Sequence, residues 1–174
     1  MELWDAYDRD GNPTGGTLVR GDPIPEGVYH LMCCVLVRHA DGDYLLMQRD
    51  MTKTAWPGYY EASVGGSVLK GETLLEGAKR ELFEETGIVA DRLTPYYTAR
   101  DQKCLYGAFL CETDWPKDGI VLQPGETSGY LWVSREEAIR MMELKPAVCV
   151  VQAGTRTYFG LETPEPAEEY RMLV

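Results

Sequence analysis

The chain has 174 residues, of which 44% are hydrophobic and 26% are charged, and its formal net charge is −11. These values are typical of a soluble globular protein with a single core, so we expect one domain over residues 1–174. The strong negative charge argues against nucleic acid as a partner. Residues 1–16 lack an apolar signal segment and no apolar run reaches the length of a membrane span, so we expect a cytoplasmic protein without a membrane partner.

The cysteines favour the same compartment. Their number is odd and none forms a Cys-x-x-Cys pair, so we interpret them as small apolar residues in a reducing environment. They are Cys33, Cys34, Cys104, Cys111 and Cys149.

The predicted elements alternate between strands and a few helices. An N-terminal hairpin extension over residues 1–28 pairs strands at 2–7 and 17–20 across the turn residues at 8–13. Residues 29–38 are rich in valine and leucine, as in a strand buried on both faces. Further strands are predicted at residues 44–48, 61–64, 93–99, 103–112 and 130–133.

The second half of the chain carries the helix signals. One helix is predicted over residues 74–86, with Thr73 as its N-cap and Gly87 at its C-terminal end. Ser134 and Glu137 have the spacing of a capping box for a helix that ends near Met142. Residues 147–159 are compatible with a helix or a strand, and the prolines and acids beyond them predict a flexible tail over residues 162–174.

Three carboxylates crowd the end of the first helix. Glu84 and Glu85 follow Glu81 by three and four residues, so all three project from one side, where like charges repel. The apolar stripe of the helix is formed by Leu75, Ala78 and Leu82. Because Glu85 falls beside this stripe, the cluster is predicted to face the protein body. A hard divalent cation would offset the repulsion, and the alternative is a solvated acidic face.

A glycine-rich stretch precedes this helix. Gly65, Gly66 and Gly71 bracket a short connection that can turn sharply or approach a ligand closely. Such a loop at a helix N-terminus suits anions. Together with the acidic helix face, it indicates a phosphate that is held through a metal.

These residues match a known family pattern. Gly66 is followed after five residues by Glu72 and after seven more by Arg80, and Arg80 begins the run Arg-Glu-Leu-Phe-Glu-Glu-Thr-Gly-Ile. The stretch resembles the Nudix box at every specified position, and the resemblance extends over about residues 29–142. It implies an α/β fold, the Nudix αβα sandwich, with a mixed central sheet.

The resemblance also implies a chemistry. Nudix hydrolases cleave a diphosphate linked to a further group X by water attack at phosphorus, with Mg²⁺ or Mn²⁺ as cofactor. It implies Glu81, Glu84 and Glu85 as metal ligands, and the Gly65 carbonyl as a further one. Glu81 or Glu84 could instead act as the general base, and Arg80 resembles the residue that orients a carboxylate.

Residues outside the box complete the predicted site. Glu126 precedes the strand that contains Trp132, as in related sequences, and is either a further metal ligand or an exposed loop residue. Gly129 occupies a position where relatives often carry a second glutamate.

Two cations and an aromatic residue lie upstream of the box. Arg49, Lys53 and Trp56 are suited to bind the phosphates and a flat or apolar group of a small diphosphate substrate, and their alternative is an ordinary surface loop.

The sequence is also compatible with two functions other than a hydrolase. The flanking sequence resembles Nudix proteins related to isopentenyl diphosphate isomerases, and His30 matches a histidine that those enzymes use for metal. Their reactive cysteine is missing from residues 61–64, which favours the hydrolase. A third reading is a non-catalytic diphosphate sensor, although no glutamate of the box is lost. The hairpin edge could pair with a second copy, and group X is not named by the sequence.

Overall fold

The structure, a computed structural model, describes residues 1–62, 64–144, 149–150, 153–162 and 169–173. Its strands are β1 (Leu3–Tyr7), β2 (Pro13–Val19), β3 (His30–His39), β4 (Tyr44–Arg49), β5 (Tyr60–Glu61), β6 (Val64–Ser67), β7 (Thr94–Arg100), β8 (Cys104–Thr113), β9 (Thr127–Val133), β10 (Cys149–Val150) and β11 (Glu169–Met172). Its helices are α1 (Leu74–Thr86), α2 (Arg135–Glu143) and α3 (Ala153–Phe159). No helix in the described part of the chain combines the length and apolar character needed to cross a bilayer.

Strand β3 is the centre of the larger sheet. It runs parallel to β8 and antiparallel to β6 and β4, so the sheet is mixed as predicted. The strand order is β10-β5-β4-β3-β8-β7-β11, with β6 beside β3 and β9 beside β4. Val35 and Val37 of β3 enter one core and Leu36 enters the other. This alternation explains why an almost continuously apolar strand is stable here.

The helices cover both faces of this sheet. Leu82 of α1 packs on the face that holds Val35, while Met141 of α2 and Phe159 of α3 pack on the face that holds Leu36. The predicted αβα sandwich is therefore confirmed. The N-terminal hairpin is also present, since β1 and β2 form a separate antiparallel sheet of two strands.

Helix α1 begins and ends as its sequence predicts. The Thr73 side chain accepts a hydrogen bond from the Glu76 backbone, and the Glu76 carboxylate accepts one from the Thr73 backbone at 2.8 Å, which completes a capping box. Gly87 ends the helix at φ 75°, in the left-handed region that glycine adopts without strain. The predicted apolar stripe is wrong at Leu75, which is 42% exposed.

The predicted strand at residues 61–64 is corrected by the structure. β5 ends at Glu61, and β6 begins at Val64 and includes both Gly65 and Gly66. These glycines were expected in a turning connection, but they pair with Cys34 and Cys33 across an antiparallel ladder. Ser63 lies outside the described residues. Turning is instead provided by Gly71, at φ 86°.

The C-terminal region contains more regular structure than its sequence predicts. The ambiguous residues 147–159 include both β10 and α3. Within the predicted tail, β11 pairs antiparallel with β7, so that part is a strand. Residues 163–168 of that prediction lie outside the described residues. At α2, Ser134 caps the helix as predicted, but the Glu137 carboxylate binds Arg140 and does not return to the cap.

Replacing Thr73 by alanine should lower the free energy of unfolding by about 1 kcal/mol, because the side-chain half of the capping box is lost. Chemical denaturation followed by circular dichroism measures this change. Thr73→Ser is the matched control and should unfold like the wild type. Equal stability of all three proteins would show that the cap does not stabilise α1.

Candidate active site

A cavity of about 1080 Å³ opens where β6, α1 and the N-terminal hairpin meet. Its acidic side chains are Glu2, Glu81, Glu84, Glu85 and Glu126. Its cationic side chains are Arg20, Arg49, Lys53, Lys70 and Arg80. The cavity is thus lined by opposite charges at close range, as a site for a metal-bound phosphate requires.

Helix α1 brings the three clustered glutamates to this cavity, but at different depths. Glu85 is only 5% exposed, whereas the side chains of Glu81 and Glu84 are 14% and 40% exposed. The predicted inward orientation therefore fits Glu85 and Glu81 better than Glu84. Exposure thus increases from Glu85, which lies in the protein body, to Glu84, which lies at the rim of the cavity.

The two glycines of β6 make room for different neighbours, Glu81 of α1 at Gly66 and the backbone of β3 at Gly65. A Cβ at Gly66 would lie 2.3 Å from Glu81 Oε1, and one at Gly65 would lie 2.8 Å from the Cys33 carbonyl oxygen. Both distances are too short for any side chain. Gly66 is therefore needed for the close approach of the Glu81 side chain of α1, and Gly65 for the close approach of β3; neither is needed for a turn.

Glu85 occupies an electrostatically unfavourable position. Burial raises its pKa well above the ordinary value, and the charges of Glu61, Glu81 and Glu126 raise it further. A hydrogen bond from the Gly65 backbone opposes this only in part. Among the described residues Glu85 has no cationic partner, so its charged form calls for a cation from outside the chain.

Arg80 organises the other carboxylates of the site. Its guanidinium donates to Glu72 Oε1 at 2.8 Å, to Glu81 Oε1 at 2.7 Å and to Glu84 Oε2 at 3.2 Å. It also donates to the Ser67 carbonyl oxygen at 2.9 Å, which ties α1 to the end of β6. These partners raise the pKa of Arg80, with Glu72 the largest contributor.

Glu61 is a site residue that the sequence analysis did not select. Arg49 Nη1 donates to both of its carboxylate oxygens, at 2.9 and 3.0 Å, and Arg49 Nε donates to the Ala55 carbonyl oxygen. Burial raises the pKa of Glu61 although Arg49 lowers it. A glutamate inside a short apolar segment was the only signal in the sequence that could have indicated it.

The other predicted residues divide into those at the cavity and those away from it. Lys53 forms an ion pair with Glu126, and both line the cavity. Gly129 pairs with Gln48 between β9 and β4 and is not part of the lining. Trp56 is 56% exposed outside the lining, on a loop where its φ is 53°.

His30 is not brought to the carboxylates. It is buried and stacks on Trp4 with ring centroids 4.2 Å apart, and its Nε2 atom lies 3.0 Å from Cys104 Sγ. Cys33, Cys34, Cys104 and Cys111 form no disulfide among the described residues.

The N-terminal hairpin contributes charges that the sequence analysis also missed. Arg20 Nη1 donates to Glu2 Oε2 at 2.7 Å, and the Trp4 indole donates to Glu2 Oε1 at 2.7 Å. Glu2 is close enough to raise the pKa of Glu81, after the larger effects of burial and of Glu84. Only the docking of the hairpin reveals this proximity.

The residues of the cavity fit a hard divalent cation by their chemistry. The donors are carboxylate and backbone oxygens, which Mg²⁺ and Mn²⁺ prefer. Glu85 is buried beside other carboxylates and, among the described residues, has no cationic partner, so a divalent cation would stabilise its ionised form. Within the described residues, no three acidic, histidine or cysteine side chains are already gathered at metal-binding distances. Arg80 holds two of the glutamates instead.

An acidic cavity bordered by glycines, on one face of an αβα sandwich, is an architecture suited to small phosphorylated molecules. The family model of the NUDIX domain matches residues 28–150. The chain therefore belongs to the Nudix hydrolase family.

Relatives with curated sequences agree with this assignment. A Nudix hydrolase of Rhodococcus erythropolis is 32% identical over 150 residues, which cover 78% of this chain and 79% of that protein. One from Listeria monocytogenes is 40% identical over 91 residues, or 52% of this chain and 54% of the relative. The matched region thus spans about half the length of the Listeria protein. Both relatives are described as uncharacterized.

Solved structures share the fold. The protein DR0079 of Deinococcus radiodurans superposes with a TM-score of 0.71 at 20% identity, covering 90% of this chain and 98% of that one. The NUDIX domain of Shewanella oneidensis NrtR, complexed with ADP ribose, gives 0.54 at 15% identity and covers 70% and 82%. At these identities the likeness concerns the fold alone.

Glu85→Gln should stabilise the metal-free protein, because it removes a buried charge that repels its neighbours. The pKa of Glu85 is raised by folding, so its ionised form destabilises the folded state above that pKa and the penalty disappears as the pH falls. We expect the variant to melt about 2–4 °C higher than the wild type near pH 8, the shift given by roughly 1 kcal/mol.

This difference in melting temperature should shrink as the pH is lowered from about 8 towards the ordinary pKa of a glutamate, because the wild-type carboxyl, whose pKa is raised by burial, then takes up its proton. Thermal unfolding of both proteins in a chelator measures it. Glu143→Gln, on the exposed end of α2, is the matched control. A variant that melts at or below the wild type at pH 8 would contradict the assigned electrostatics.

Proposed function

We propose that the protein is a magnesium-dependent hydrolase that cleaves a diphosphate bond in a nucleoside diphosphate linked to a further group, or in a related small molecule. The observation that supports the proposal is that Glu81, Glu84, Glu85 and Glu126 all line one cavity. Their crowding is unfavourable without a cation, and a diphosphate is a natural ligand of a metal held by carboxylates.

We assign the metal ligands as Glu81, Glu84 and Glu85, with the Gly65 carbonyl oxygen and Glu126 as further ligands for Mg²⁺ or Mn²⁺. When bound, the cation would lower the pKa of water and neutralise charge on the phosphates. Arg80 keeps the carboxylates in place during this reaction.

As an alternative to its role as a metal ligand, Glu81 is the candidate we favour for the general base. Burial raises its pKa above the ordinary value of a glutamate, which makes its carboxylate a stronger base. Arg80 engages Glu81 Oε1, so Oε2 is the atom that would take the proton from the attacking water. Glu84 is more exposed and serves better as a ligand at the rim.

Arg49 and Lys53 are proposed to meet the phosphates of the substrate. Each already binds a carboxylate, Glu61 and Glu126 respectively, so substrate binding would require them to share these partners. Trp56 stands outside the cavity, and it can contact only a group that extends beyond the cavity rim. The substrate remains to be selected from a panel that includes ADP-ribose and diadenosine tetraphosphate, named for two proteins of the same fold.

Glu84→Gln and Glu85→Gln should each lower magnesium-dependent phosphate release by about 100-fold or more, because each removes a charge that holds the cation. Release is measured with nucleotide sugars, dinucleoside polyphosphates, oxidised nucleotides, coenzyme A and prenyl diphosphates. Glu143→Gln should behave like the wild type, and circular dichroism should show that every variant is folded. Unchanged turnover in either cavity variant would refute the metal assignment, and substrate binding without any turnover would favour a sensor.

Isopentenyl diphosphate should not be converted to dimethylallyl diphosphate by this protein. Cys33 lies beneath the site, where its thiol donates to the Gly66 carbonyl oxygen, but burial raises its pKa to about 12. It is therefore protonated at neutral pH and unsuited to act as a reactive thiolate. Product analysis by chromatography tests this expectation, and detection of dimethylallyl diphosphate would favour the isomerase.

A further inference from the structure

The N-terminal hairpin forms part of the wall of the acidic cavity, although it lies outside residues 28–150 that match the family model. Leu3 at the start of β1 lines the cavity, as do Glu2 just before it and Arg20 just after β2. The cavity is therefore formed by two parts of the chain, the Nudix box with its carboxylates and the N-terminal hairpin.

Three hydrogen bonds fix the hairpin to the loop that leads into α1. The Lys70 backbone donates to the Leu3 carbonyl oxygen at 2.8 Å, and the Gly71 backbone donates to Asp5 Oδ2 at 2.8 Å. The Lys70 ammonium donates to Thr17 Oγ1 at 2.6 Å. Because the same loop leads into α1, these bonds fix the position of the hairpin relative to the carboxylates of α1.

The cations of the cavity differ in what they bind. Arg49, Lys53 and Arg80 each pair with one or more carboxylates, and Arg20 pairs with Glu2. Among the described residues, Lys70 has a neutral hydroxyl as its side-chain partner and no carboxylate within ion-pair distance. An ammonium group has three donors, so two remain for a ligand. Lys70 thus carries the cavity charge that is least neutralised by the protein.

We propose that Lys70, oriented by Thr17 and lining the same cavity as Arg20, forms a second anion site, which we call the hairpin anion site. It binds a phosphate or carboxylate on group X, apart from the diphosphate that the metal and box residues take. The inference rests on the proposed hydrolase function and narrows its substrate to molecules with an additional negative charge. Arg20 would supply a second donor by sharing its bond with Glu2.

Matched pairs of diphosphates provide the test. Coenzyme A with its dephosphorylated form, and NADP⁺ with NAD⁺, differ by one phosphate, while UDP-glucuronic acid and UDP-glucose differ by one carboxylate. Isothermal titration without metal gives the affinity ratio within each pair. For at least one pair we expect the wild type to bind the member with the additional phosphate or carboxylate about tenfold more tightly, because one charge-assisted hydrogen bond provides a difference of this size.

Lys70→Met should bring this ratio close to one. The affinity for the member without the additional phosphate or carboxylate should stay within about twofold of the wild-type value. Lys79→Met is the matched control. Lys79 also donates to a neutral oxygen, the backbone carbonyl oxygen of Asp91, but it does not line the cavity. Thr17→Val keeps Lys70 and should reduce the ratio only in part.

A wild type without discrimination in any pair, or a ratio that survives in Lys70→Met, would overturn the hairpin anion site. Magnesium-dependent turnover of the same compounds is measured separately. Discrimination that depends on Lys70 supports the site even where no compound is hydrolysed, in which case the proposed hydrolysis alone fails. The pair that discriminates identifies the anion as phosphate or carboxylate.

Discussion

The burial of Glu85 among like charges is the constraint on which the site depends. Its buried carboxylate has Glu61, Glu81 and Glu126 nearby, and the favourable contact that it has within the described part of the chain is a backbone hydrogen bond from Gly65. Such an arrangement costs folding free energy. It persists because the rest of the fold holds α1 against β6 independently, through a helix capped at both ends and an apolar face packed on β3.

Arg80 divides the acidic cluster into two electrostatic parts. It binds Glu72, Glu81 and Glu84 directly, whereas Glu85 has no cationic partner among the described residues. A site made only of unpaired carboxylates would strain the metal-free fold more severely, and a site fully paired with arginine would have no affinity for a cation. Tying the arginine to the Ser67 carbonyl oxygen keeps this division fixed, because the guanidinium cannot swing inwards without losing that bond.

Local chemistry was sufficient to predict α1 and its Thr73 and Gly87 ends, since caps and periodicity act within a few residues. The αβα sandwich was predicted from the resemblance of the box to the Nudix family. Long-range pairing explains the failures. Gly65 and Gly66 were expected in a turn because the requirement for them comes from Cys33 and Glu81, which are distant in sequence. Glu61 and the hairpin charges were missed for the same reason. The roles of the site residues remain predictions, although the structure gathers Glu81, Glu84, Glu85 and Glu126 at one cavity.

The distribution of these features along the chain explains why the family alone does not specify a substrate. The groups assigned to the diphosphate lie within the matched residues 28–150, whereas part of the cavity lining comes from residues before Tyr29. A structure with a TM-score of 0.71 at 20% identity can share the sheet and helices without sharing any side chain of that wall. Lys70 links the two parts, because its backbone and its ammonium both bind the hairpin while its loop leads into α1. Changes in the hairpin can therefore alter recognition of group X without displacing the carboxylates.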